Sequence, residues 1–282
     1  MGNFSVKLDD EKIAKLKSTF RDDIRSNPNE YIDTFIQRDD LTISIYKSKK
    51  VVFQGEDAFF YAEPFLIKKH IRQAGSDEVG TGDVFGPVVV CAAIVEEDDY
   101  DYIEKMNITD SKQLTDDYIR KISPELMNRF KHSLLILDNV TYNKVHEKDN
   151  LNSIKAKMHN KAFLNMISKG YDVPKASYID QFTPEDRYYA YLANEPEIYH
   201  SLIFETEAES KYPAVAVGSI ISRYAFLDYM DKLNKKYGMS FQKGSTLTNE
   251  IDANINEFIA KFGKERLKEV GKLHFKNFDR YR

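Results

Sequence analysis

The stretch 75–87, GSDEVGTGDVFGP, constrains the fold more than any other part of this chain. Two adjacent carboxylates, Asp77 and Glu78, run into a glycine-rich turn of Gly80, Thr81 and Gly82, and the mostly apolar run Pro87–Val95 follows. A short apolar run bounded by a turn reads as a buried strand. Carboxylates beside a tight turn can hold a hard divalent cation next to exposed backbone amides, which suits phosphodiester chemistry. On an ideal strand Asp77 and Glu78 face opposite sides. Both serve one site only if the strand ends or twists at Glu78, and Gly80 and Gly82 supply the local freedom for that. A surface acidic pair is the competing reading.

The rest of the chain narrows the classes available. Lys and Arg number 41 against 45 Asp and Glu, so this is not a general DNA-coating protein. A nucleic-acid partner would require locally concentrated positive charge. The lone cysteine, Cys91, lies in the apolar run and reads as a buried thiol. No clustered Cys and His residues argue for zinc, and the six histidines form no close pair. His159, within IKAKMHNKAF, reads as part of a helix surface. The turn lacks the GK[ST] ending of a P-loop, and GxGxxG is absent. The first residues lack a signal-peptide pattern, and no apolar run reaches membrane-spanning length. The expectation is a soluble, cytoplasmic protein.

Periodicity suggests two domains. Residues 3–8 alternate as a strand, and Ile13, Leu16, Phe20 and Ile24 recur at helical spacing, with Asp9 or Asp10 as cap. Residues 31–37, 41–46 and 51–53 read as strands, and 58–69 as a helix that Pro64 breaks or kinks. Lys47, Lys49 and Lys50 form one basic cluster; Lys68, Lys69 and Arg72 form another. Beyond residue 66 the reading is strand 87–95, helix 115–130 split by Pro124, strand 134–137, helix 152–168, strand 176–180, helix 214–237, and helical pieces 249–262 and 264–270. That order gives a mixed α/β sheet with a helical C-terminal part. Domains at 1–66 and 67–282 follow.

Other candidate residues are less sharply defined by the sequence itself. Asp180 ends the run ASYID, where open α/β sheets place ligand groups, although a turn or cap role is as good a reading. Glu205, Glu207 and Glu209 compete just before a small-residue helix start. In TDSKQL, a capping role for Asp110 competes with phosphate contacts by Ser111 and Lys112.

Together, GSDEVGTGDVFGPVVVCAA, TDSKQL, YID and AVAVGSIISRYAF occur in an order and spacing that resembles type 2 ribonuclease H. GTGD after the acidic pair, plus an extra N-terminal domain, resembles the bacterial ribonuclease HIII branch. The resemblance implies a ribonuclease H-like mixed sheet at 67–282, preceded by a small α+β domain like the TATA-binding protein. It implies four metal-binding carboxylates, which fall on Asp77, Glu78, Asp180 and Glu209. It also implies nucleic-acid contacts from Gly80, Thr81 and Gly82, through ribose 2′-hydroxyls, and from Ser111, Lys112 and Lys243 to phosphates. Thr81 stands where ribonuclease HII usually has a basic residue, which favours longer RNA stretches over single embedded ribonucleotides.

The implied activity is hydrolysis of the RNA strand of RNA/DNA hybrids with two Mg²⁺ or Mn²⁺ ions, leaving 5′-phosphate and 3′-hydroxyl ends. A monomer without an obligate protein partner is expected. Two rival readings remain: a hybrid-binding protein that no longer cuts, and a metal-dependent nuclease or phosphotransferase of another specificity.

Overall fold

A computed structural model describes residues 2–62, 70–108, 114–246 and 248–281. The chain divides into two compact units, Met1–Lys69 and His70–Arg282. In the first unit, β1 (Gly2–Lys7) leads to α1 (Asp10–Thr19), and β2 (Ile24–Arg25), β3 (Ile32–Arg38), β4 (Leu41–Tyr46) and β5 (Lys50–Gly55) follow. The strands form an antiparallel sheet in the order β1-β5-β4-β3-β2. Asp9 caps α1, its carboxylate accepting from the Lys12 amide at 2.8 Å. Ile13, Leu16 and Phe20 pack with Val6, Ile36, Ile43, Ile45, Val51 and Phe53, and α2 (Ala58–Ala62) adds Ala58 and Ala62. Strand alternation leaves Asn3, Ser5, Lys7, Gln37 and Gln54 exposed.

Two expectations change here. The helical pattern does not extend to Ile24: α1 ends at Thr19, a 3-10 turn spans Arg21–Asp23, and Ile24 pairs with Ile36 in the sheet. Backbone pairing outweighs the apolar spacing. Of the helix expected over 58–69, Ala58–Ala62 is helical, and residues 63–69, with Lys68 and Lys69, lie outside the described residues.

The second unit is built on β6 (Gln73–Val79), β7 (Val88–Val95), β8 (His132–Leu137), β9 (Ser177–Asp180) and β10 (Leu202–Glu205), ordered β10-β9-β6-β7-β8. Strands β6, β9 and β10 run parallel; β7 and β8 are antiparallel to their neighbours. Its helices are α3 (Tyr100–Lys105), α4 (Asp116–Arg129), α5 (Asn139–His146), α6 (Leu151–Ser168), α7 (Glu185–Tyr191), α8 (Ala208–Lys211), α9 (Pro213–Tyr237) and α10 (Thr248–Phe262).

Every residue of β7 is buried, as its apolar run requires. Val88, Val90, Ala92 and Ile94 meet Ile154, Phe163 and Met166 of α6. Cys91, Ala93 and Val95 share the opposite core with Ala214, Val217 and Ile221 of α9. Burial of each such Val or Ile is worth roughly 1.5–3 kcal/mol.

The small-residue run of α9 has a steric cause. A Cβ on Gly218 would lie 2.7 Å from the Cys91 carbonyl oxygen, and one on Gly75 would lie 2.5 Å from the Val215 nitrogen. Helix and sheet therefore touch backbone to backbone beside Asp77. Pro124 does not split α4; Ile119, Ile122 and Leu126 stay in one core and hold the helix continuous. Among the described residues, no helix is long and apolar enough to cross a membrane.

Candidate active site

Register alone brings two of the expected carboxylates together. Strands β6 and β9 pair in parallel from Ala74↔Ser177 to Ser76↔Ile179, so the next step places Asp77 beside Asp180. Tyr178, two residues before Asp180, packs with Ala208 and Val215, so both aspartates leave the sheet on its α8–α9 face. Burial, then the negative charges of Glu78 and Asp180, push the Asp77 carboxyl up to about 7. Hydrogen bonds from the Ser219 side chain and the Glu78 amide, the latter at 2.7 Å, act against that rise.

Glu78 takes the other face. Strand β6 continues through it to Val79, so the adjacent carboxylates do diverge as an ideal strand dictates. Glu78 Oε1 pairs with Lys155 and Oε2 lies 2.9 Å from His159 Nε2. The other ring nitrogen of His159 lies 2.8 Å from Ser76 Oγ. Burial raises the Glu78 carboxyl, but the His159 hydrogen bond and the charges of His159 and Lys155 outweigh it and hold it below the usual range.

The other two expected carboxylates lie on β9 and α8. Asp180 Oδ1 accepts the Ala208 amide at 3.0 Å, which anchors the start of α8 at the strand end. Glu209, next in sequence, is buried. Its two competitors differ: Glu207 is exposed, and Glu205 lies 3.5 Å from Lys211. Of the three, Glu209 is the buried one.

The glycine turn joins β6 to β7 above these groups. Gly80 adopts φ +91°, and a Cβ there would lie 2.2 Å from the Pro87 carbonyl oxygen. Gly82 is different: it is exposed, and a Cβ would meet nothing within 4 Å. No internal contact requires glycine at that position. Thr81 is half-buried between them. Gly244 brings the neighbouring loop to the turn through its amide on Asp83 Oδ1 at 2.5 Å and its carbonyl on the Val84 amide at 3.0 Å. Lys243, adjacent to Gly244, is ion-paired with Asp116 at 2.5 Å. Ser111 and Lys112, with Asp110, lie outside the described residues.

A family model described as Ribonuclease HII matches residues 74–278, and one described as a domain of unknown function (DUF3378) matches residues 3–77. A Ribonuclease HIII of Phytoplasma mali is 35% identical, with 98% of this chain and 97% of the relative covered. A Ribonuclease HIII of Bacillus cereus is 38% identical over 85% of each chain. The crystal structure of Bst-RNase HIII in complex with Mn²⁺ superposes with TM-score 0.75 at 30% identity, covering 99% of this chain and 98% of that one. This chain belongs to the ribonuclease HIII family.

Membership makes it an enzyme of the ribonuclease H class, with the mixed α/β architecture of ribonuclease HIII structures. The donor set fits the divalent ion expected of the ribonuclease HIII fold. Carboxylate oxygens suit Mg²⁺ or Mn²⁺, and a cation would relieve the repulsion that weakens Asp77 as an acid. Among the described residues, no three Asp, Glu, His or Cys side chains already form a metal cage. Glu78 is turned toward Lys155 and His159 instead.

Sequence reasoning missed Lys155 and took His159 for helix surface; both are buried in α6. Their signal was available. Positions i and i+4 of a helix share a face, and that face opposes Ser76 and Glu78, two apart on a strand. Lys272 was missed as well. It is fully buried, and its ammonium donates to the carbonyls of Asp83 at 2.8 Å and Gly86 at 2.6 Å.

Proposed function

We propose that the chain is an endoribonuclease that hydrolyses the RNA strand of RNA/DNA hybrids, with Asp77, Glu78, Asp180 and Glu209 as ligands to two Mg²⁺ or Mn²⁺ ions. The observation that carries this reading is the parallel β6–β9 register, which runs to Ser76↔Ile179 and so brings Asp77 next to Asp180 beneath a glycine turn whose Gly82 is sterically open. When bound, the ions would supply an activated water and stabilise the departing 3′-oxygen, leaving 5′-phosphate and 3′-hydroxyl ends. Asp77 and Asp180 orient their oxygens from rigid strand ends, and the Ala208 amide fixes the rotamer of Asp180.

Gly80 sets the path of the turn, and Thr81 and Gly82 then present backbone groups to ribose 2′-hydroxyls, which DNA lacks. Lys243 would exchange Asp116 for a phosphate, and Ser111 and Lys112 complete the expected phosphate contacts. In this reading residues 1–66 form a TATA-binding-protein-like module that holds the hybrid, and residues 67–282 cut it as a monomer.

Labelled RNA/DNA hybrid, double-stranded RNA and double-stranded DNA, each incubated with Mg²⁺, Mn²⁺ or EDTA, test the proposal. Metal-dependent cleavage confined to the RNA of the hybrid is expected, with Asp77→Asn and Asp180→Asn inactive but still binding. Hybrid binding without cleavage in either metal would favour a non-cutting protein; equal cleavage of all three duplexes would point to another nuclease.

A further inference from the structure

Helix α6 turns a lysine and a histidine, one turn apart, onto the face of β6 that carries Glu78. Both Glu78 oxygens are engaged there: Oε1 by the Lys155 ammonium, Oε2 by His159 at 2.9 Å. The side chains of Lys155 and Glu78 are 9% and 12% exposed, so this is not a solvated surface pair. The ammonium is further seated 3.8 Å from the ring centroid of Phe182, two residues beyond Asp180.

A buried ion pair is seldom retained for stability alone, since a packed apolar pair of the same size often does as well. Its position gives it another use. Glu78 adjoins Asp77 in sequence but leaves the opposite face of β6, and the register that pairs Ser76 with Ile179 puts Asp180 next to Asp77, so three carboxylates lie near one another where the sheet ends. Lys155 sets a fixed positive charge against that cluster. A divalent ion reaching Glu78 would compete for Oε1, while His159 holds Oε2 from behind. The ion would also meet the repulsion of a neighbouring ammonium.

We propose that Lys155 is a built-in surrogate for the divalent ion: it occupies Glu78 in the metal-free protein, yields it on metal binding, and so sets the metal concentration this site requires. The proposal rests on the reading of Glu78 as a metal ligand. Lys155 is thus a positioning residue that acts through Glu78. Binding linkage is reciprocal, so a cation that weakens the Lys155–Glu78 pair is itself weakened by that pair.

The test is a titration of the full-length protein with Mn²⁺ alone, followed through the electron paramagnetic resonance signal of free Mn²⁺, with no substrate present. Lys155→Met removes the charge and keeps the stem. Lys155→Gln also removes the charge but can still donate to Oε1, which covers the case where methionine does not fold. Lys155→Arg retains the charge. Both neutral variants are expected to bind Mn²⁺ about 5-fold tighter or more than wild type, in the range of ordinary site coupling. Their melting temperature in EDTA falls, and the arginine variant binds no tighter than wild type.

A merely structural lysine would not produce a gain in metal affinity. Neutral variants that bind Mn²⁺ with wild-type or weaker affinity overturn the surrogate role and leave the metal site standing. Wild-type protein that leaves the free Mn²⁺ signal unchanged overturns the metal-site reading itself, and this proposal with it.

Discussion

Gly80 and Gly82 look equivalent in the sequence, yet they are glycines for different reasons. At Gly80 the backbone is left-handed and a Cβ would collide with the Pro87 carbonyl. Gly80→Ala is therefore expected to lower stability by about 2 kcal/mol or more in chemical denaturation. At Gly82 a Cβ enters open space, so Gly82→Ala should change stability by less than about 1 kcal/mol while weakening hybrid affinity. Equal destabilisation by the two substitutions would remove the argument that Gly82 is kept for a ligand. Asp77 carries a second residue-scale prediction. Its carboxyl is raised to about 7 in the metal-free protein, chiefly by burial and the Glu78 charge, above the ~3.9 of an unfolded aspartate. Between those values the folded state holds the extra proton, so this group's contribution to stability falls as pH rises from about 4 through 7. In EDTA, Asp77→Asn should be the more stable protein at pH 8, by on the order of 2 kcal/mol, with that advantage shrinking toward pH 4. Melting curves of both proteins across this range measure it; an asparagine variant less stable at pH 8 contradicts it.

At the scale of elements, the turn is held from outside by the C-terminal segment. The Gly86 amide donates to the Val270 carbonyl at 3.0 Å, the Lys272 amide donates to Val84 at 2.9 Å, and Asn139 donates to the Gly86 carbonyl at 2.8 Å. Lys272 adds its buried ammonium to that bracing, and burial lowers it to about 7. Lys272→Met removes the ammonium donor from the carbonyls of Asp83 and Gly86, of which Gly86 keeps Asn139, and should cost about 2–3 kcal/mol. Hybrid affinity should fall with it, because the turn loses its rear support; full affinity at reduced stability would separate the brace from the site. The elements that place the candidate site carboxylates were legible in the chain. The run 87–95, the strand ending at Asp180 and the long helix over AVAVGSI all formed because their apolar patterns are strong and match the buried faces they acquire. Of the short elements, β9 was read, whereas β10 and α7, with four and seven residues, were not. Pro124 misled because a local rule about missing amides cannot see the core that holds α4 together. Lys155 and His159 were hidden for a related reason. Polar residues on a helix read as solvent-facing until the strand that they meet is known.

Among the described residues, the apolar clusters of the two units share no members. That of the first unit comprises residues from Val6 to Ala62, and the clusters of the second unit begin at Ala74. Each unit thus owns the burial that stabilises it, and removal of the first leaves the sheet bearing Asp77 and Asp180 complete. The first unit keeps one sheet face for something else. Lys7 lies directly opposite Lys50 in the β1–β5 register, with Asn3, Ser5 and Gln54 on the same face. Like charges placed across a strand pair are destabilising. A phosphate backbone would relieve that repulsion, and the neighbouring amides and hydroxyl donate to phosphate oxygens without reading bases. Lys49 does not join them, being paired with Asp10 at 2.7 Å, and Arg72 is held by Glu96 and Asp172. The expected outcome is specific. Removal of residues 1–69 should weaken hybrid binding about tenfold or more, near 1.4 kcal/mol, and make log affinity less steep against log salt by about one to two. Lys7→Gln with Lys50→Gln in the full chain should reproduce most of the change in salt slope. Mn²⁺ binding by the truncated protein should match that of the full chain, since none of the four proposed ligands lies before Asp77. An unchanged salt slope in both the truncated and the doubly substituted protein would show that this face does not meet the phosphate backbone.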